Sequence, residues 1–214
     1  YRNGAADLEM NSEDVNKLDY SKFSSVIVTG TSLAAEPSRS ATLEALTIAK
    51  TNNLPIILDI DYRPYTWRSA EEASTIYLKA ATASDIVVGN DDEFAVMAGD
   101  YQEGIHLAKR LSESTASIVI YKMGEKGSIT FLKGEKIITG IFKVDALKPT
   151  GAGDAFMGVF ISSLLNKKSI EDSVIAGSAA AAIVVTKVGC SPAMPSKEEL
   201  ELFLKKNMIT NFKE

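Results

Sequence analysis

The chain has 214 residues, of which 45% are hydrophobic and 24% charged, a composition typical of a folded globular protein rather than a disordered one. Its formal net charge of −5 argues against a nucleic-acid partner, because binding to phosphate backbones needs clustered Lys and Arg side chains. No apolar run is long enough for a membrane span, and the lone Cys190 excludes an intrachain disulfide and suits the reducing cytoplasm.

The length lies within the range of one folded domain, and we predict a single α/β domain over residues 1–214. The first residues, Tyr1-Arg2-Asn3-Gly4, contain neither a start methionine nor the charged-then-apolar plan of a signal peptide. We therefore expect the gene to encode further residues before Tyr1.

Up to residue 122, helical patterns alternate with short apolar runs bounded by turn residues. The predicted strands are 26–28, 55–61, 85–89 and 117–122. The predicted helices are 12–22, 38–49 and 69–83, and further helices fill about 91–113. This alternation predicts right-handed βαβ units and a mainly parallel sheet with helices on both faces.

The pattern changes after residue 122. The runs 128–132 and 136–144 are separated only by Lys133-Gly134-Glu135, which predicts an antiparallel hairpin or meander at one side of the sheet. A loop at 146–153 and three helices follow. We place the helices at 154–166, at 170–187 and from Ser196 to about Lys206. The second of them is rich in small residues, which allow close approach of either a neighbouring helix or a planar ring.

The loop that ends in Gly151-Ala152-Gly153-Asp154 is the strongest candidate for a site. Three residues with little or no side chain leave backbone N–H groups uncovered, and the following helix adds the positive end of its dipole. We predict an anion cradle there. Asp154 is the one side chain in it that could accept a proton, and the helix start favours its ionised form.

Polar residues also follow three predicted strands, and ligands of open parallel sheets gather beyond the carboxyl ends of the strands. Asp59, Asp61 and Arg63 form the first group, for which a salt bridge and a ligand site are both open interpretations. In the second, Asn90 can cap the next helix while Glu93 orients magnesium-bound water or a phosphate.

The third group runs from Lys122 to Ser128, and its glycines could serve only to make a turn. The motifs of P-loop NTPases, nicotinamide-binding Rossmann units and zinc sites are absent. The single histidine, His106, lies in a charged helical region, and for Cys190 packing is favoured over a role as nucleophile.

Together these groups resemble the ribokinase (PfkB) family of carbohydrate kinases over nearly the whole chain. Gly151, Ala152, Gly153 and Asp154 match the family's GAGD signature, which implies that Asp154 is the catalytic base and that the three preceding amides form the anion hole. The resemblance implies ATP and Mg²⁺ as cofactors. It also implies that the chain is the C-terminal, ATP-binding and catalytic part of a ribokinase-like fold, without the N-terminal lid through which full-length members form homodimers.

The resemblance assigns the remaining residues to roles. Asn90 and Glu93 match the NxxE motif, which arranges magnesium and phosphates, and Asp59, Asp61 and Arg63 match a D-x-N-x-R element for the substrate or phosphate, with Asp61 replacing Asn. The implied nucleotide contacts are Lys122, Gly124 and Gly127 at the phosphates, and the segment 179–190, including Ala180, Gly189 and Cys190, at the adenine.

A closer resemblance, to a sugar-acid kinase within the family, is carried by the run Asp61-Tyr62-Arg63-Pro64 and by Lys148. Lys148 stands where many relatives have an Asp that belongs to a monovalent-cation site, so we hypothesise that its ammonium replaces a potassium ion. Two alternatives stay open: a kinase of the same family for ribose, fructose or a nucleoside, and a truncated, non-catalytic nucleotide-binding module.

Overall fold

A six-stranded sheet in the order β1-β2-β3-β4-β5-β6 organises the fold. The computed structural model describes residues 4–210 and 212. The strands are β1 (Val26–Thr29), β2 (Ile56–Asp59), β3 (Ile86–Asn90), β4 (Ile118–Lys122), β5 (Ser128–Leu132) and β6 (Glu135–Thr139). The first four are parallel and follow one another in sequence order. β5 and β6 are joined by the short turn at Gly134, which has φ 83°, and this confirms the predicted hairpin.

The described residues pack as two compact units. The first contains the chain up to Lys122 together with Ile129–Lys136, and the second contains Met123–Ser128 and the chain from Ile137 onward. The prediction of one domain over residues 1–214 stays a prediction.

Five helices belong to the first unit. They are α1 (Ser12–Asn16), α2 (Ser38–Thr51), α3 (Ala70–Ala83), α4 (Asp91–Ala98) and α5 (Gly104–Ser114). Each crossover helix packs on a strand that it connects. All positions of β2 are buried, and so are all of β3 and β4 except their last residues, Asn90 and Lys122. Because successive strand residues point to opposite faces, both faces of the sheet are covered, as predicted.

One predicted helix is divided in the structure, and the helices predicted over 91–113 are separated at a glycine. The predicted helix 12–22 ends at Asn16, and after a break a single 3₁₀ turn follows, capped by the Asp19 carboxylate, which accepts the Ser21 N–H. The predicted helical stretch 91–113 is broken at Gly99, whose φ of 76° ends α4 in a left-handed cap.

The second unit contains α6 (Ala152–Leu165), α7 (Ile170–Val185) and α8 (Lys197–Lys206). Gly177 of α7 faces Phe156 of α6, and a Cβ at Gly177 would lie 2.9 Å from the Phe156 ring and carbonyl oxygen. The small residues of α7 therefore serve close packing between two helices. No helix among the described residues combines the length and the apolar character needed to cross a bilayer.

The last predicted strand is shorter than expected. It was predicted to reach residue 144, but β6 ends at Thr139. Beyond it, Ile141 exchanges hydrogen bonds with Thr210: the Thr210 N–H donates to the Ile141 carbonyl at 2.8 Å, and the Ile141 N–H donates to Thr210 Oγ1 at 3.3 Å. The apolar pattern of 140–144 instead reflects burial of Phe142 against Ala179 and Ala182.

Candidate functional site

Polar side chains of the first unit gather where β2, β3 and β4 end. Asp59, Asn90 and Lys122 are the last residues of these neighbouring strands, and Asn90 lies opposite Lys122 in the register. We call this group, with the residues that follow it, the strand-end cluster. Its members are Asp59, Asp61, Arg63, Asn90, Glu93 and Lys122. The sequence predicted these residues at strand ends, and the parallel topology brings them to one edge of the sheet.

Asn90 and Glu93 form a capping box at the start of α4. The Glu93 N–H donates to Asn90 Oδ1 at 2.8 Å, and the Asn90 N–H donates to Glu93 Oε2 at 2.7 Å. The other carboxylate oxygen, Oε1, accepts the backbone N–H of Tyr62 at 3.1 Å. The predicted cap is therefore present, and both oxygens of Glu93 are occupied by backbone amides.

Glu93 is 6% exposed, and this burial raises the pKa of its carboxyl group. The Lys122 ammonium and the amides of Asn90 and Tyr62 act in the opposite direction, because they stabilise the ionised form. Within the described part of the chain, no three His, Cys, Asp or Glu side chains are grouped so as to hold a metal ion. Mg²⁺ keeps several waters and commonly binds one or two protein carboxylates plus substrate phosphates, so water-mediated contact to Asn90 and Glu93 fits these residues.

Asp61 and Arg63 are joined by an ion pair, so the salt bridge considered from the sequence is present. Arg63 also donates from Nη1 to the Tyr62 carbonyl at 3.2 Å, and about half of its side chain is exposed. Asp61 has a φ of 38°, in the left-handed region that non-glycine residues rarely occupy. The loop after β2 thus holds an exposed guanidinium next to a strained backbone.

The glycine loop lies in the second unit, and its helix begins earlier than predicted. Gly151 is the N-cap of α6 with φ 88°, so the helix starts at Ala152 rather than at Asp154, which becomes the third helical residue. Glycine adopts this φ without the steric cost that a Cβ imposes. Gly151 therefore allows the chain to change direction after Thr150 and to begin the helix at Ala152.

The early helix start changes which amides are open to an anion. The Ala152 N–H donates to the Pro149 carbonyl at 3.2 Å, and the Ala155 N–H donates to the Gly151 carbonyl at 3.0 Å. Among the described residues, the N–H groups of Gly151, Gly153 and Asp154 have no acceptor. The predicted set of Gly151, Ala152 and Gly153 is thus revised, since Ala152 is already hydrogen-bonded and Asp154 adds an amide in the first turn.

Cys190 lies against this loop. Its Sγ is 3.9 Å from Asp154 Oδ2, and a Cβ added to Gly151 would come within 2.8 Å of the same sulfur. The sulfur thus lies near both the loop backbone and the Asp154 carboxylate, and the preference for packing over a role as nucleophile stays a prediction. Gly189 before it has φ 110°, which also requires glycine.

The other predicted nucleotide contacts of the second unit differ in accessibility. Gly124 and Gly127 make a tight turn in which the Gly127 N–H donates to the Gly124 carbonyl at 3.2 Å, and a Cβ at Gly127 would collide with the Thr139 carbonyl. Ala180 is fully buried with Ala155 and Val184, so it belongs to the core and presents no surface to a nucleotide. That part of the prediction is corrected, because small residues on α7 pack against α6.

Lys148, the predicted cation substitute, precedes the glycine loop. Its backbone N–H and that of Leu147 both donate to the Val185 carbonyl, at 3.1 and 2.7 Å, and the Lys148 side chain is exposed. The loop is therefore tied to the end of α7 through its backbone.

Two contacts were missed from the sequence. The bond from the Tyr62 N–H to Glu93 joins residues 31 positions apart and uses a backbone donor, for which no residue pattern exists. The approach of Cys190 to Asp154 spans 36 positions, and a single cysteine carries no positional signal.

Curated relatives match almost the whole chain. A 5-dehydro-2-deoxygluconokinase of Photobacterium profundum is 44% identical over 209 residues, which cover 95% of this chain and 63% of the relative. The enzyme of the same name from Bacillus subtilis is 39% identical over 206 residues, covering 94% of this chain and 62% of the relative. The chain thus spans somewhat under two thirds of the length of these relatives.

Solved structures agree in fold. A ribokinase from Thermotoga maritima is 30% identical with a TM-score of 0.71, over 92% of this chain and 62% of that one. A double-mutant fructokinase from Vibrio cholerae, solved with fructose, ADP and a potassium ion, has a TM-score of 0.82 at 24% identity, over 93% of this chain and 65% of that one. Residues 1–197 match the pfkB family of carbohydrate kinases. The resemblance read from the GAGD and NxxE residues is confirmed: the chain belongs to the pfkB carbohydrate kinase family.

Proposed function

We propose that the complete protein transfers the γ-phosphoryl group of ATP to a primary hydroxyl of a sugar acid, 5-dehydro-2-deoxy-D-gluconate. One observation carries the proposal: the start of α6, where open amides of Gly151, Gly153 and Asp154 stand beside the Asp154 carboxylate. Such a helix start stabilises negative charge through its amides and its dipole. A proton acceptor beside an anion cradle is what transfer of a phosphoryl group to a hydroxyl requires.

In this reaction the sugar hydroxyl oxygen attacks the γ-phosphorus, the bond to the β-phosphate oxygen breaks, and ADP leaves. Asp154 accepts the proton of the attacking hydroxyl. Because the transition state of phosphoryl transfer is loose, little proton removal is needed early, and a carboxylate is basic enough. Most of the rate enhancement then comes from positioning and from charge stabilisation by the loop amides.

The strand-end cluster of the first unit carries other groups that phosphoryl transfer uses. Lys122 is a cation suited to nucleotide phosphates, and the half-exposed Arg63 can bind a carboxylate or phosphate in bidentate fashion. Asn90 and Glu93 would hold Mg²⁺ through water, and the ion, when bound, neutralises phosphate charge. We assign Asp59 and Asp61 to the acceptor side, where carboxylates accept hydrogen bonds from sugar hydroxyls.

The choice of sugar acid rests on the curated relatives of that name and on the Asp61-Tyr62-Arg63-Pro64 run. A sugar acid carries a carboxylate, for which a guanidinium is a suitable partner. With this substrate, a role in inositol catabolism, a cytoplasmic location and a homodimeric full-length protein are the accompanying expectations.

A panel assay on the complete gene product tests the substrate. ADP release is coupled to an indicator reaction with 5-dehydro-2-deoxygluconate, fructose, ribose and a nucleoside as acceptors. We expect kcat/KM for the sugar acid to exceed that for each neutral acceptor by about tenfold or more, since the Arg63 guanidinium can pair with a carboxylate that neutral acceptors lack, and a hydrogen bond to a charged group contributes about 1.5–3 kcal/mol. A preference for a neutral sugar would instead favour another kinase of the family. No turnover with any acceptor, with ATP still bound, would favour a non-catalytic nucleotide-binding module.

The hypothesis for Lys148 predicts that the enzyme needs no added potassium. If its ammonium occupies the place of a monovalent cation beside the glycine loop, initial rates should be equal in potassium and in tetramethylammonium buffers. Lys148→Ala should then lower the rate several-fold and make it rise again with added potassium.

Lys143→Ala serves as the control, because Lys143 is another exposed lysine of the same connecting segment. Its rate should stay unchanged in both buffers. The fructokinase structure contains a potassium ion, so potassium is the cation to test. Strict dependence of the unmodified enzyme on potassium would contradict the hypothesis.

A further inference from the structure

Glu93 makes one hydrogen bond that its helix cap does not require. Its Oε2 closes the capping box with the Asn90 N–H, a bond found at many helix starts. Its Oε1 accepts the Tyr62 N–H at 3.1 Å, and Tyr62 belongs to the loop after β2, not to α4. The carboxylate therefore joins the ends of two neighbouring strands.

The residue before this bond has a strained backbone. Asp61 adopts φ 38°, and a non-glycine residue in that region is strained and persists only where its surroundings hold it. The next amide along the chain, that of Tyr62, is the one held by Glu93. The strained residue also forms the ion pair with Arg63. Releasing Tyr62 would thus allow the Asp61–Arg63 pair to leave its position.

The rest of the loop is fixed by aromatic packing on α3. The Tyr62 ring meets the buried Tyr77 edge-on at a centroid distance of 6.2 Å, and the Trp67 ring lies 5.0 Å from Tyr77. Arg39 covers the Trp67 ring at 5.3 Å. Side-chain packing thus anchors both ends of the segment 62–67, and Glu93 adds a hydrogen bond to its first backbone amide.

A glycine in β3 leaves room for the Glu93 carboxylate. Gly89, the residue before Asn90, has no side chain, and a Cβ there would lie 3.2 Å from Glu93 Oε2 and 2.5 Å from Ile60 Cδ1. A larger residue would press on Glu93 or on the residue before Asp61. The close approach of the loop, the strand and Glu93 is therefore built into the packing.

We infer that Glu93 is a positioning residue that latches the Asp61–Arg63 loop in its strained conformation, so that the Arg63 guanidinium is preorganised for an anionic acceptor. The inference rests on the proposed function only for the identity of that acceptor. The latch itself is a property of the protein without ligand. It differs from a role in arranging Mg²⁺, because it operates through the Tyr62 amide and needs no metal.

The chain offers a matched way to separate the latch from the cap. α1 begins with the same N-cap residue, Asn11, and there an Asp closes the capping box: the Asn11 N–H donates to Asp14 Oδ2 at 3.1 Å. Glu93→Asp can therefore keep the cap and the charge while losing the reach to Tyr62. Glu93→Gln keeps the length but retains only one acceptor oxygen for two amides.

The test is hydrogen exchange by mass spectrometry on the complete gene product, with EDTA and without ligands. In both variants we expect exchange in a peptide covering residues 60–66 to accelerate by roughly tenfold, the value for loss of one hydrogen bond to a buried charged group. The start of α4 should stay protected in Glu93→Asp. Asp92→Asn, an exposed neighbour on the same turn, should leave both segments unchanged.

Unchanged exchange at 60–66 in Glu93→Asp would overturn the inference, and so would an equal rise throughout β3 and α4. If Glu93→Gln fails to fold, Glu93→Asp decides alone. A kinetic measurement then tests the acceptor: Glu93→Asp should raise KM for the sugar acid about tenfold. Absence of sugar-acid turnover in the unmodified enzyme would refute the proposed function, while the exchange result would still decide the latch.

Discussion

Replacing Asp154 by Asn in the complete gene product should lower kcat by about 10²–10⁴-fold, the usual contribution of general acid–base catalysis, and should leave ATP affinity nearly unchanged. Asn has the size of Asp but cannot accept the proton of the attacking hydroxyl. The open amides of Gly153 and of residue 154 itself remain in place, because they belong to the backbone of α6. The anion cradle is thus kept while the base is removed.

Single-turnover phosphorylation measures the chemical step, and calorimetric titration with ATP measures binding. Asp145→Asn is the matched control, since Asp145 is an exposed residue of the segment before the glycine loop and should tolerate the same change without effect. The loss of the charge near the helix start removes only about 0.3–1 kcal/mol of dipole stabilisation, so the free energy of unfolding should change little. Equal losses of kcat and of ATP affinity would instead show that Asp154 is structural.

The fold was predictable where local pattern and topology agree. The apolar runs of β2, β3 and β4, separated by helical spacing, leave parallel pairing in sequence order as the simplest arrangement. The predicted ends of the elements were wrong where residues distant in the sequence determine them. β6 stops at Thr139, and beyond it Ile141 bonds with Thr210, which is 69 positions away, so no local signal carries that information.

The candidate site was likewise predictable only in part. Asp59, Asn90 and Lys122 could be placed together because each ends a strand of one parallel sheet. The open amides of the glycine loop could not be chosen correctly, since the choice depends on the φ of Gly151 and on the bond between Ala152 and Pro149. Glycine permits several backbone conformations, and the sequence does not say which one is adopted.

The small residues of α7 illustrate an ambiguity of composition. An Ala-rich face suits either a planar ring or a second helix, and both interpretations stay open from the sequence. At Gly177 the neighbour is a second helix, because the ring and carbonyl of Phe156 occupy the space of its missing side chain. The same packing buries Ala180, whereas the residues from Thr186 to Cys190 are partly or fully exposed.

Gly151→Ala should damage both stability and catalysis. A φ of 88° costs an L-residue about 1–2 kcal/mol, and the new Cβ would lie 2.8 Å from Cys190 Sγ. The loop can relieve this strain only by shifting the start of α6 and the amides beside Asp154. We expect the free energy of unfolding to fall by about 2–3 kcal/mol and kcat to fall at least tenfold, as misplacement of reacting groups by an ångström can cost more.

Thermal unfolding and steady-state kinetics on the complete gene product measure the two effects. Gly158→Ala is the matched control: Gly158 lies inside α6, its Cβ would meet nothing within 4 Å, and alanine there should stabilise the helix by about 0.5–1 kcal/mol. Adding Cys190→Ala to Gly151→Ala removes the collision but not the unfavourable φ, so only part of the lost stability should return. If Gly151→Ala matches the unmodified enzyme in both measurements, the left-handed cap is not what holds the anion cradle.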